Sequence, residues 1–110
     1  MLVSEFGGEE RSFDLKLGQI RALEKEFNLG YYAVFDLIQN LRSSIDHVIA
    51  VIRLGLIGAG MEANQAQTLA LKTIRNEPFL TYLPLAREIM KNAIFGGDEV
   101  ATSDGGKPAT

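Results

Sequence analysis

Three groups of residues have types and spacings that could do chemistry. Ser44, Asp46 and His47 bring together the hydroxyl, carboxylate and imidazole of a serine triad. They sit within one helical turn, where adjacent side chains point apart, and neither neighbouring serine lies in a nucleophile elbow. Gly58-Ala-Gly60-Met-Glu-Ala63 satisfies G-x-G-x-x-A after a β-branched run, the dinucleotide fingerprint on paper. That fingerprint needs a strand before it, a helix after it and a further parallel strand beyond. No second buried strand is readable after Arg75, where Pro78 and Pro84 break the chain and a charged helical pattern follows. Glu9-Glu10 pairs two acids, but nothing nearby completes a metal site or an acid–base pair, so a solvated turn is expected.

Composition narrows the field further. The chain has 110 residues, enough for one domain with a modest core. It has no cysteine, which removes disulfides, thiolate catalysis and Cys-based zinc sites, and its lone His47 cannot make a His-rich metal centre. A net charge of −3 with scattered basic residues gives no attraction for phosphate backbones or anionic membranes. No catalytic residue, cofactor site or metal site is expected. Partners from nucleic acid or membrane are not expected either. The N-terminus carries early acids and no long apolar run, so the expected location is the cytoplasm.

The elements are organised around Ser44 to Gly60. Ile45, Val48, Ile49, Ile52 and Leu56 recur at helical spacing, and Val51, Leu54 and Ile57 widen that face. The strip left for water is narrow: Asp46, Ala50 and Arg53, with His47 beside it. A helix apolar over most of its circumference must be surrounded, so this is the central helix of a small domain. Ser44 can cap its start, and Gly58 and Gly60 can stop it.

Upstream, Leu2–Phe6 and Arg11–Leu17 flank Gly7-Gly8-Glu9-Glu10. The alternation of Phe13, Leu15 and Leu17 with polar residues reads as a half-buried strand, hence a β-hairpin lying on helices. From Gly18 a helix presents Ile20, Leu23 and Phe27, with Gly30 as its stop. A second presents Tyr31, Val34, Phe35, Ile38 and Leu41 and ends near 42–44. Downstream, Glu62–Arg75 is a helix with a small face of Ala63, Ala66 and Ala70. Phe79-Leu80-Thr81-Tyr82-Leu83 precedes Pro84, which favours extended backbone at Leu83. A last helix presents Leu85, Ile89, Met90, Ala93 and Ile94 and stops at Gly96-Gly97. The expected class is α+β, mainly α: an N-terminal β-hairpin packed on a bundle of four to five helices. Residues 1–96 form the single domain, and 97–110, polar and aperiodic, form a flexible tail.

The order of these motifs resembles the gene-transfer-agent family of small phage tail proteins, grouped with phage tail assembly chaperones. Leu17-Gly18 and Leu23-Glu24 look like the family's strand-to-helix step and its Leu-Glu pair. Gly55-Leu-Ile-Gly58-Ala-Gly60 looks like the end of its middle helix. The likeness runs over Val3 to Gly97. Where the family often has Gly after the first helix's aromatic residue, this chain has Asn28.

The resemblance implies a non-enzymatic tail assembly chaperone that binds the tape measure protein, the major tail protein or both. A structural subunit of the tail tube or of a tail ring is the alternative, and a nucleotide-binding fragment a remote one. Either tail role needs an apolar surface for amphipathic helices or for identical subunits, so a homo-oligomer stays open. The candidate partner-binding residues are Phe79, Leu80, Tyr82 and Leu83, the most aromatic and least helical segment. They either fold back over the open end of the bundle or stay exposed as a docking patch.

Overall fold

A computed structural model describes residues 1–96; the tail expected over 97–110 lies outside them. Two strands, β1 (Leu2–Phe6) and β2 (Glu9–Phe13), pair antiparallel, with Phe6 opposite Glu9 and Leu2 opposite Phe13. Five helices follow: α1 (Leu17–Phe27), α2 (Tyr31–Gln39), α3 (Ile45–Gly58), α4 (Ala63–Arg75) and α5 (Leu83–Phe95). A short 3-10 turn, Phe79–Tyr82, leads into α5. The chain is therefore mainly α, with a two-stranded hairpin at its N-terminus.

The hairpin is tighter than the sequence reading had it. Gly7 and Gly8 alone make the turn, both at positive φ (65° and 87°), as a two-residue turn between twisted strands requires. Glu9 and Glu10 are in β2, both exposed, so the pair is a solvated strand edge. The strand ends at Phe13, and Leu17 opens α1 exposed rather than continuing the alternation. Phe6 and Phe13 are fully buried and meet edge to face, their ring centroids 6.0 Å apart.

Helix α3 is the centre. It packs against α1, α2, α4, α5 and β2. Val48, Val51, Ile52, Leu54 and Leu56 are buried on it, each worth roughly 1.5–3 kcal/mol relative to exposure. Its polar strip is narrower than expected, because Ala50 is buried too. Arg53 on that strip reaches α1, with its guanidinium 2.6 Å from Glu26 Oε1.

Two of the α3 glycines turn out to serve packing. The Asp14 N–H donates to the Gly55 carbonyl at 2.9 Å, so the chain leaving β2 runs directly against the helix. A Cβ on Gly58 would collide with the Asp14 carbonyl oxygen, and one on Gly55 would press on Phe13 and Ile89 at 3.3 Å. Gly58 is therefore the point where two backbones meet. The stop is Gly60, at φ 116°. The Gly60 N–H donates to the Ile57 carbonyl at 2.9 Å and the Met61 N–H to the Leu56 carbonyl at 3.0 Å, a Schellman closure.

The other helix ends also differ from simple glycine stops. Asn28, at φ 53°, closes α1, with the Leu29 N–H donating to the Glu24 carbonyl at 3.3 Å. Asn accepts the left-handed conformation better than most residues, so it can close this helix where a glycine would otherwise be expected. Gly30 begins α2 instead, and the Glu24 carboxylate accepts the Tyr31 N–H there at 2.8 Å. On α4, Ala66 and Ala70 are buried while Ala63 is exposed at the first turn. Leu83 is helical (φ −61°, ψ −44°) despite preceding Pro84, because it already belongs to the first turn of α5.

Propensity alone would favour Ala over Gly within a helix by up to about 1 kcal/mol. At position 58 packing reverses that: Gly58→Ala is expected to cost about 3 kcal/mol, the upper range for overpacking. Gly60→Ala, which meets nothing, should cost only about 1–2 kcal/mol from the left-handed backbone. Urea denaturation of both variants measures the difference.

Tyr31 carries a second, pH-linked prediction. Its hydroxyl donates to the Met90 carbonyl at 2.7 Å in the interior, tying α2 to α5. Burial, and then the neighbouring Tyr32, push its pKa well above the ordinary 10.0. Above pH 10 the unfolded chain releases this proton while the folded chain keeps it. Stability must therefore fall as pH rises beyond 10. Tyr31→Phe should cost about 1 kcal/mol at neutral pH and flatten that alkaline decline. Thermal melts from pH 8 to 11 test both parts.

Candidate functional site

The residues that could have formed a triad make a helix cap. The Ser44 Oγ accepts the His47 N–H at 3.2 Å, and His47 Nδ1 accepts the Ser44 N–H at 2.9 Å. This is the reciprocal geometry of a capping box, with imidazole in the place usually taken by Glu or Gln. The ring also packs against Phe27, tilted by 57° with 4.4 Å between centroids. The nucleotide fingerprint fares likewise. Helix α3 precedes Gly58 where a strand is required, and Glu62 caps α4 by accepting the Asn64 and Gln65 N–H groups at 3.1 Å. Among the described residues no cluster of His, Asp or Glu could hold a metal ion, and no helix is long and apolar enough to cross a membrane.

What the fold does assemble is an apolar groove. The turn after α2, the start of α3 and the 3-10 turn before α5 meet around a volume of about 230 Å³. Its walls are Leu41, Ile45, Val48, Phe79, Leu80 and Leu83, with Ser43 and Ser44 completing the lining. Leu83, only 7% exposed, and Val48 form the floor, continuous with the core. Leu41, Phe79 and Leu80 form the rim, 69%, 68% and 70% exposed. Three large apolar side chains are thus held in water around one depression, rather than scattered singly over the surface.

The four sequence candidates are thus divided. Phe79 and Leu80 stand at the rim and Leu83 lies beneath them. Tyr82 turns the other way and packs edge-on against Phe6, with ring centroids 5.2 Å apart. Burial raises its phenol pKa, helped by the nearby Glu77 and Glu5 carboxylates. Tyr82 therefore pins the 3-10 turn to the hairpin and lets Phe79 and Leu80 face outward.

Spacing places Leu41 on the buried face of α2, and here the structure differs. The helix ends at Gln39, and Leu41 sits at φ 59°, the left-handed conformation that Gly or Asn normally takes. The Arg42 N–H donates to the Leu37 carbonyl at 2.7 Å and closes the turn. Holding a leucine there costs about 1–2 kcal/mol. The signal was the short spacing from Leu41 to the Ser44 cap. It forces α2 to end before Leu41 and swings that apolar side chain out of the core.

Comparison with known proteins bears on what such a groove serves. The model of the family described as "Phage tail tube protein, GTA-gp10" matches residues 2–96. The chain belongs to this phage tail family. The family is non-enzymatic, and the match covers every described element from β1 through α5. Searches of curated proteins and of solved structures returned no match.

The geometry separates rim from floor by stability. Phe79→Ala and Leu80→Ala, exposed in this tail-family chain, are each expected within about 0.5 kcal/mol of the parent. Leu83→Ala should cost about 2–5 kcal/mol and Tyr82→Ala an intermediate amount. Equal losses at Phe79 and Leu83 in chemical denaturation would contradict this arrangement.

Proposed function

We propose that this chain is a tail assembly chaperone. It binds the tape measure protein, the major tail protein or both, in the cytoplasm of the bacterial host while the particle is built. The observation that supports this reading most is the rim of Leu41, Phe79 and Leu80. Three exposed apolar side chains surround a groove open to the core, and one is kept in a conformation that costs stability. Strain retained at an exposed apolar residue points to use rather than to packing. A groove of this kind accepts the apolar face of an amphipathic helix, the helix-in-groove mode. The partner helix would insert anchors beside Phe79 and Leu80 and rest on Leu83 and Val48.

The second reading is a structural subunit of the tail tube or of a tail ring, and the wording of the family description favours it. On that reading the rim meets another copy of the same chain, and self-association replaces capture of a different partner. Mass spectrometry of purified particles separates the two. A structural subunit persists in stoichiometric amounts, and a chaperone is absent or scarce.

Leu41→Gly is the informative variant. Glycine relieves the left-handed strain, so the folded chain should gain about 1 kcal/mol. It also deletes a rim side chain, so co-purification with a co-expressed tape measure protein should weaken. A variant that is stabler and poorer at capture supports the groove. Unchanged capture by Leu41→Gly, Phe79→Ser and Leu80→Ser combined would rule this surface out.

A further inference from the structure

The hairpin has a second feature that the groove does not use. In a two-residue hairpin the pair flanking the turn, Phe6 and Glu9, exchanges backbone hydrogen bonds, and bonded pairs then alternate along the ladder. Ser4 with Arg11 and Leu2 with Phe13 are therefore the other bonded pairs. The N–H and C=O groups of Val3 and Glu5 point away from β2, toward the outer edge of β1. Among the described residues none of these four groups has a backbone partner. Among the described residues the sheet has two strands, and no third strand pairs with that edge.

The edge borders a built depression. A channel of about 380 Å³ runs between β1 and the start of α5. Leu2, Tyr82 and Leu85, all half-buried, supply apolar lining, and Val3 stands exposed on the strand. The charged residues lining it are Glu5 and Glu88, with no Lys or Arg. Neither acid is in an ion pair among the described residues.

We propose that this channel receives an extended basic segment of another protein, added as a third strand on β1. Four backbone groups of Val3 and Glu5 supply the ladder hydrogen bonds. Alternate apolar side chains of the incoming segment lie on Leu2 and Leu85, and the Lys or Arg residues between them face Glu5 and Glu88. Charge chooses this occupant over a second copy. Two β1 edges could pair about Ser4 with Val3 opposite Glu5, but the seam would gather two Glu5 and two Glu88 carboxylates without a counter-charge. Like charges close together across strands are unfavourable.

The test uses the full chain and the peptide acetyl-Lys-Val-Lys-Val-Lys-Val-amide, with its Glu-for-Lys counterpart as control. On titration the Val3 and Glu5 amides should slow in hydrogen exchange by about tenfold or more with the basic peptide, and not with the acidic one. Val3→Pro removes an edge donor whose N–H faces away from β2, so the hairpin keeps its pairing while peptide affinity should fall about tenfold. Glu5→Lys combined with Glu88→Lys should reverse the preference toward the acidic peptide. Unchanged exchange at millimolar peptide, or equal binding of both peptides, would overturn the proposal. So would protection of Val3 and Glu5 that rises with protein concentration alone, since the occupant would then be a second copy.

Discussion

The backbone of Asp14 lying on α3 is the contact on which the rest of the structure depends. Its N–H donates to the Gly55 carbonyl, and its own carbonyl occupies the space a side chain on residue 58 would need. Two strands and five helices share one core only because the chain leaving β2 can come this close. Phe13 and Ile89 then both close on Gly55, Phe6 reaches Phe13, and Tyr82 reaches Phe6. Each step fixes the next element, ending with the 3-10 turn that carries Phe79 and Leu80. The groove is thus positioned from the far side of the molecule, through a relay of rings that starts at two glycines.

Much of the fold was legible because local patterns agreed with tertiary ones. The apolar spacing of Ile45 to Ile57 identified the central helix, and Ser44 its first turn. The family resemblance, read from the order of motifs, holds over residues 2–96. Local reasoning failed where the cause lay elsewhere in the chain. Gly58 reads as a helix stop because its collision partner, Asp14, is remote in sequence. The capping role of His47 is not legible locally, since an imidazole rarely takes that place. Glu9 and Glu10 read as turn residues because acids are common there, yet two glycines already complete the turn and leave both acids to an exposed strand.

The groove was half legible. The apolar character of Phe79 and Leu80 marked the segment, but exposure is a property of the fold. Tyr82 and Leu83 share their composition and lie inward. Leu41 escaped because a period of three to four residues continues to match beyond the end of the helix it describes. A pattern that runs on into a left-handed turn assigns that side chain to the wrong side of the surface.

The seating of Phe13 on Gly55 has a consequence for synthesis. The hairpin leaves the ribosome before the helices, and the helix that covers its aromatic face comes about forty residues downstream. At roughly 5–20 residues per second, that interval lasts about 2–8 seconds. Throughout it Phe6 and Phe13 have no α3 to rest on, and an isolated two-stranded hairpin is marginal in water. The nascent chain therefore spends seconds with Phe6 and Phe13 uncovered. How quickly α3 follows the hairpin out of the ribosome sets how long the young chain is open to aggregation.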